Sequence, residues 1–307
     1  MLPALLVLLC ATVVVHGLFS AGNSKTSARP KPPRLGTVRP TIVRGPTKPV
    51  DDLARAVNAS VTSGPGGLSV VPRSVIDWFL MDRYYDARRA SEKLLAMASW
   101  RRSFAVETRG VDTSRERRSR KGYLHGHRDV LNRPVVIAVA ARHNCFLRSL
   151  PESKLLCVQV LEEAIRGLDA ADASAAASAA ASAAASAAAD ASAGESPGGD
   201  KYSVAWTLAN GQEGGVTQVL GVFDLRNLQP TCIDFEFVSF LIETIYQFYP
   251  QRLGQVLLVE PPPFIFEAAW EVIRPQLGRH ADIVRFVKLE ELKKEYFTPE
   301  TLPRDFR

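Results

Sequence analysis

The chain has 307 residues, 46% of them hydrophobic, and a formal net charge of +6. That is enough apolar material for one large domain or two modest ones, and it excludes global disorder. Residues 1–50 hold seven Lys/Arg and no Asp or Glu, leaving 31 basic and 32 acidic residues in the rest. The positive excess therefore belongs to the leader, and the balanced body argues against a nucleic-acid partner, which would require a cationic face.

The leader, residues 1–50, opens on an apolar run from Leu2 to Val15 (LPALLVLLCATVVV), followed by the small residues Ser20, Ala21 and Gly22. The run is short for a bilayer span, which takes about 20 residues. It suits the apolar region of a signal peptide, although no Lys or Arg precedes it. The stretch that follows is rich in Ser, Thr, Pro and Arg, the composition of a transit peptide. The expectation is entry into the secretory pathway, with a plastid address in two parts as an extension. Secretion with a disordered stalk, a membrane anchor and a cytoplasmic protein are the alternatives.

Residues 51–71 end in Ser63-Gly64-Pro65-Gly66-Gly67 and read as a flexible link. A helical lobe is expected over 72–117, with Val75, Ile76, Phe79, Leu80 and Tyr84 at helical spacing, then Ala90, Leu94, Leu95, Ala98 and Trp100. Residues 118–307 form the second lobe. Residues 72–128 carry a net charge of +7 and residues 129–307 a net of −7, so the two lobes differ in sign. Four apolar runs predict strands buried on both faces: Val135–Ala140, Thr217–Phe223, Gln255–Val259 and Ile283–Lys288. Helical patterns at Pro151–Leu168, Ile233–Tyr249 and Phe264–Leu277 separate them, and Tyr202–Leu208 is a candidate edge strand. Strands alternating with helices predict an α/β fold with a mainly parallel sheet.

Within the second lobe, residues 170–199 are low in complexity. Ser174, Ser178, Ser182, Ser186 and Asp190 recur every fourth residue in alanine, with no large apolar stripe to dock. The segment reads as a surface insertion.

Chemistry-bearing patterns are sparse. The sequence lacks GxGxxG, GxxxxGK[ST] and HExxH. Cys10, Cys145, Cys157 and Cys232 include no CxxC pair, so neither a zinc site nor a disulfide framework is expected. His125 and His127 flank Gly126 in a basic segment that reads as a surface loop, with phosphate or metal binding as the functional alternative. His143-Asn144-Cys145 has the residue types of a thiol hydrolase, but adjacent residues cannot place a nucleophile against its base. Glu162-Glu163 and Glu290-Glu291 point to different sides of a helix and read as solvated charges. No catalytic residue, metal or cofactor is expected.

Three segments in order resemble the CRAL-TRIO family, which includes phosphatidylinositol/phosphatidylcholine exchange proteins. Arg73–Phe104, with Trp100-Arg101 near its end, resembles the helical lobe. Gly122–Val139, with Asn132-Arg133-Pro134 where Gly-Arg-Pro is usual, resembles the turn and first strand of the lipid lobe; Asn tolerates the left-handed turn. Val222–Leu225, Tyr249-Pro250-Gln251-Arg252-Leu253-Gly254, Val259–Leu277 and Leu302-Pro303 resemble the rest. Departures are Gln251 for Glu, an extra proline among Pro261–Pro263, and Arg274 for Lys.

The resemblance implies a helical lobe packed on an α/β lobe whose sheet floors an apolar cavity closed by a gate helix. It implies a non-catalytic binder, and a carrier between membranes, of a phospholipid, isoprenoid or tocopherol-like lipid. A transient membrane surface is the other partner, and a monomer is expected. The candidate ligand-binding residues are Phe223, Leu225, Phe237, Phe240, Leu241, Ile245, Phe264, Ile265, Phe266, Trp270, Ile273 and Arg274. Relatives that bind phosphatidylinositol place a Glu near the position of Phe240, so that lipid is not the expected preference. A membrane-docking or lipid-sensing module without cargo is the alternative. N-terminal sequencing of protein from its native cell is expected to find a terminus between Gly17 and Val50; an intact Met1 or Leu2 would refute the leader.

Overall fold

The computed structural model describes residues 49–63, 71–168, 218–262, 270, 274 and 277–307, without the side chains of 63, 278 and 279. The expected leader up to residue 48, the Ala/Ser insertion, the candidate strand Tyr202–Leu208 and most of Phe264–Leu277 lie outside the described residues.

Three helices pack into the N-terminal lobe: α1 (Val50–Ser63), α2 (Arg73–Asp82) and α3 (Ala87–Glu107), followed by the short α4 (Ser114–Ser119). Helix α1 corrects the reading of 51–71 as a link. Ala54, Val57 and Val61 fall three and four residues apart and are buried against Ile76, Phe79, Leu80, Ala90 and Leu94. Asp51 and Asp52 complement the helix dipole in its first turn. The apolar stripe expected to run on to Tyr84 stops earlier. Tyr84 and Tyr85 sit in left-handed backbone at φ 53° and 62°, the Tyr85 amide donates to the Leu80 carbonyl at 2.7 Å, and Tyr84 is left 53% exposed. Asp86 then starts α3 by accepting the Arg89 amide at 3.0 Å.

The second lobe is built on a five-stranded sheet in the order β1 (Gly122–Arg128), β2 (Pro134–Val139), β3 (Val219–Asp224), β4 (Leu253–Val259), β5 (Val284–Val287). Strands β2 to β5 are parallel and β1 is antiparallel to β2. The expected α/β class with a mainly parallel sheet is observed. The basic segment around His125 and His127, expected as a loop, is edge strand β1. Its glycines and histidines are weak strand formers, and pairing with β2 overrides them. The turn between them is made by Asp129. Its carboxylate accepts the Leu131 amide (3.1 Å), the Arg133 amide (2.7 Å) and Arg133 Nε (2.8 Å), while Asn132 takes φ 60°, the left-handed role expected of it.

Helices α5 (residues 150–168), α6 (Phe235–Glu243) and α7 (Leu289–Tyr296) complete the layers. One sheet face, with Val135, Ile137, Leu220, Val222, Leu257 and Val287, is sealed by Leu292, Tyr296, Phe297 and Phe306. The start of the other face is covered by α5 through Leu161, Ala164, Ile165 and Leu168 around Val219. Helix α6 runs on into a π-helical turn at Thr244–Phe248, which shifts the backbone hydrogen bonds to a wider spacing. There the Tyr246 carbonyl accepts the buried Lys93 ammonium at 2.7 Å, and Lys93 also donates to Asp82 at 2.6 Å.

Lys93→Ala leaves the buried Asp82 carboxylate without its closest cation. It is expected to cost about 3–5 kcal/mol in chemical denaturation. Asp82→Leu with Lys93→Met, which removes both charges, should recover much of that loss.

Candidate lipid-binding site

The strand register places Ala138, Phe223, Leu258 and Phe286 side by side on one face of the sheet, each directly across from the next. All four are half-buried, whereas Ile137, Val222 and Leu257, their neighbours on the opposite face, are fully buried. This row lies near the C-terminal ends of the parallel strands, where ligands enter open α/β sheets. Gly221 precedes it on the same face. A Cβ there would come 3.3 Å from the Leu253 side chain and 3.6 Å from the Phe223 ring, so its absence lets that ring lie back over the strand.

Two candidates expected from the sequence meet this row. Phe223 is part of it, and Trp270 packs edge-on against Phe286 with ring centroids 5.0 Å apart. Trp270 is half-buried and helical, and Arg274, one turn on, is helical and exposed. Leu225 lies just past β3, where its amide donates to the Val259 carbonyl at 3.0 Å, and it is buried. Phe264, Ile265, Phe266 and Ile273 lie outside the described residues.

The α6 candidates Phe237, Phe240 and Leu241, and Ile245 in the π turn, are all half-buried; no residue of α6 is fully buried despite its apolar sequence. Phe237 and Phe240 also belong to an aromatic ladder that joins the lobes. From one end it runs Phe248 on Trp100 (4.2 Å), Trp100 on Phe104 (5.1 Å), Phe104 on Phe240 (6.0 Å), Phe240 on Phe237 (6.4 Å) and Phe237 on His143 (5.8 Å). Ile245 packs with Phe248 and Trp100 around Tyr249 and α5. Part of the predicted site is thus lobe interface.

That interface also brings together two segments that carried the family resemblance. Arg101, next to Trp100, forms an ion pair with Glu162, and Glu162 accepts the Tyr249 hydroxyl at 2.5 Å. Burial, reinforced by the Glu162 charge, pushes the Tyr249 phenol above its ordinary range, so it remains a hydrogen-bond donor.

At the start of α6, Asp234 accepts the Phe237 amide at 3.1 Å as its cap. Arg148 grips the same carboxylate through both Nε and Nη2. His143 is enclosed between Lys121, 3.2 Å from Nδ1, and Asp234, 3.1 Å from Nε2. Its ring nitrogens therefore face Lys121 and Asp234, in place of the Cys145 thiol that a thiol-hydrolase arrangement would require. Burial drives the Cys157 thiol up to about 12, away from the reactive thiolate. His125 meets the Thr301 carbonyl at 2.8 Å, and no metal-ligating cluster occurs among the described residues.

Residues 201–306 match the CRAL/TRIO domain. That match covers β3 to the C-terminal turn and with it Phe223, Leu258, Trp270 and Phe286 of the site. Among solved structures, the chain is similar to Sfh5 at 12% identity, over 80% of this chain and 82% of that one, with a TM-score of 0.45.

Ala138, Leu258 and Phe286 were not among the residues expected to line the site. Each strand had been recognised, and the missing signal was cross-strand register, which aligns them with Phe223 on one face.

The electrostatics around α6 give a pH test. Burial disfavours the Asp234 carboxylate, but Arg148, the Phe237 amide and His143 outweigh it and hold the group below its ordinary 3.8. Burial and then Lys121 hold His143 below its ordinary 6.5. Both shifts make the folded state bind fewer protons than the unfolded chain, so stability falls as the pH drops through each window. Thermal melts should decline first below about pH 6.5 and again below about pH 4. Asp234→Asn should be less stable at neutral pH and should lose much of the second decline.

Proposed function

We propose that this chain binds one hydrophobic lipid over the sheet face formed by Ala138, Phe223, Leu258 and Phe286, and carries it between membranes. The observation that supports this is the asymmetry of the sheet. One face is sealed by α7 and the C-terminal turn, while this all-apolar row stays half-buried, with Trp270 against Phe286 at one end. Each methylene of an acyl or isoprenoid tail transferred onto such a surface contributes roughly 0.8 kcal/mol, so a tail can hold the ligand without a charged anchor.

Members of the CRAL-TRIO family bind hydrophobic lipids, and this reading gives the chain the same kind of cargo: a phospholipid, isoprenoid or tocopherol-like molecule. Phe240, whose ring is stacked on Phe104, offers no acceptor for inositol hydroxyls, which argues against phosphatidylinositol as the preferred lipid. Arg274, which is exposed, meets a headgroup phosphate or carboxylate in this reading. Phe264, Ile265, Phe266, Trp270 and Ile273 serve as the gate that opens at a membrane. The protein acts as a non-catalytic monomer, and its leader directs it into the secretory pathway and on to a plastid.

Organic extraction and native mass spectrometry of purified protein should find about one lipid per chain. Leu258→Trp fills the space above the row and should cut that retention about tenfold, as expected for displaced apolar contact area, with little change in the thermal melt. Phe266→Asp should leave the melt intact and slow transfer of a fluorescent lipid between vesicles. A wild-type protein free of lipid and inactive in transfer would overturn the carrier reading and favour a docking or sensing module.

A further inference from the structure

A second concave site lies apart from the sheet row and shares no residue with it. It is a groove of about 530 Å³ between α4, β1 and the C-terminal turn, lined by Arg117, Arg120, His125, His127, Arg304 and Arg307 among others. We infer that this groove binds a phosphate-bearing ligand.

Two stretches of chain far apart in sequence deliver the cations: the consecutive α4, its cap and the edge strand on one side, and the final turn on the other. Among the described residues, no Asp or Glu lines the groove. The nearby carboxylates are engaged elsewhere. Asp305 binds Arg142 and accepts the Tyr123 hydroxyl at 2.5 Å, and Glu116 is paired with Lys121. Glu163 reaches Arg117 only at 3.8 Å. Gathering like charges opposes folding through self-repulsion, and an anion in the groove would relieve it.

The cations are also held in position. Arg120 follows α4 in left-handed backbone at φ 53°, a position where glycine carries no steric penalty. Its guanidinium lies over the Tyr123 ring at 4.6 Å. Stacking by its face leaves the edge donors of the guanidinium available to phosphate oxygens. Arg117 is steadied by Gln159 at 2.9 Å and Arg307 by the Leu302 carbonyl at 3.3 Å. The proton affinity of His125 is lowered by burial first and then by His127 and Arg307, so the positive potential of the groove is felt within it. The volume exceeds what one phosphate ion fills and suits a ring bearing two or more phosphates.

Such a ligand has two sources, a soluble inositol phosphate or the headgroup of a phosphorylated lipid, and the test has an arm for each. Calorimetry with inositol trisphosphate reads the first. Co-sedimentation with phosphatidylcholine vesicles containing phosphatidylinositol bisphosphate, against vesicles matched in charge with phosphatidylserine, reads the second. Binding in either arm should weaken as salt is raised. Arg117→Gln with Arg120→Gln should weaken it about tenfold or more, as expected for lost charge-assisted hydrogen bonds. Arg304→Gln with Arg307→Gln, from a separate segment, should do the same if the first pair disturbs α4. Arg102→Gln with Arg109→Gln removes equal charge from the exposed surface of the helical lobe and should leave binding unchanged. Binding in the vesicle arm alone assigns a lipid headgroup, and binding in both assigns the phosphate itself. The inference is overturned if wild-type protein binds neither probe, if both groove variants bind as wild type, or if the control pair loses as much. Lipid retention measured on the same preparations reports separately on the carrier reading.

Discussion

The two lobes are joined through a buried ammonium. Lys93 leaves α3 and reaches both the Asp82 carboxylate at the end of α2 and the Tyr246 carbonyl in the π turn. A regular helix offers few carbonyls along its length, because each is used by the amide four residues on. The π turn loosens that ladder at the point where the helical lobe presents a cation. The same interaction thus ties α2 to α3, fixes where α6 changes pitch, and directs Phe248 and Tyr249 towards Trp100. The half-buried apolar residues of α6 are tied to the helical lobe through that contact.

Around it the lobe interface is mostly aromatic, with polar pieces at its edges. The ladder from Phe248 through Trp100 and Phe104 to Phe237 fills the seam. Arg101, Glu162 and Tyr249 form a charged and hydrogen-bonded cluster beside it. Offset stacking tolerates small sliding better than a hydrogen bond does, since its energy varies gently with displacement. The seam is therefore firm where Lys93 and Arg101 anchor it and more compliant along Phe240 and Phe237.

Much of this was legible in the amino-acid sequence, and the parts that were not have physical reasons. The buried strands announced themselves because both faces are apolar, so Val135–Ala140 and Gln255–Val259 were recognised within a residue or two of β2 and β4. Helix α1 was hidden because small residues, Ala54, Val57 and Val61, make its buried stripe among polar neighbours. Strand β1 was hidden because Gly122, His125, Gly126 and His127 have little intrinsic preference for extended structure and are held there by β2. The site was half legible. Phe223 and Trp270 stood out as large apolar residues, but Ala138, Leu258 and Phe286 become its companions only once strands far apart in sequence are set in register.

The closing of α5 onto β3 has a consequence for how this chain can vary. Leu168, at the end of the described part of α5, and Val219, at the start of β3, are both fully buried and belong to one apolar cluster. Arg128 adds a hydrogen bond to the Gly167 carbonyl at 2.9 Å. The two ends of the intervening chain are thus held at the body of the protein by contacts that do not involve what lies between them. Lengthening a connection whose ends are already fixed costs only the slow logarithm of its length. Copying errors in an alanine-coding tract would then accumulate there with little penalty, and the same locus is a natural port for grafting a reporter domain.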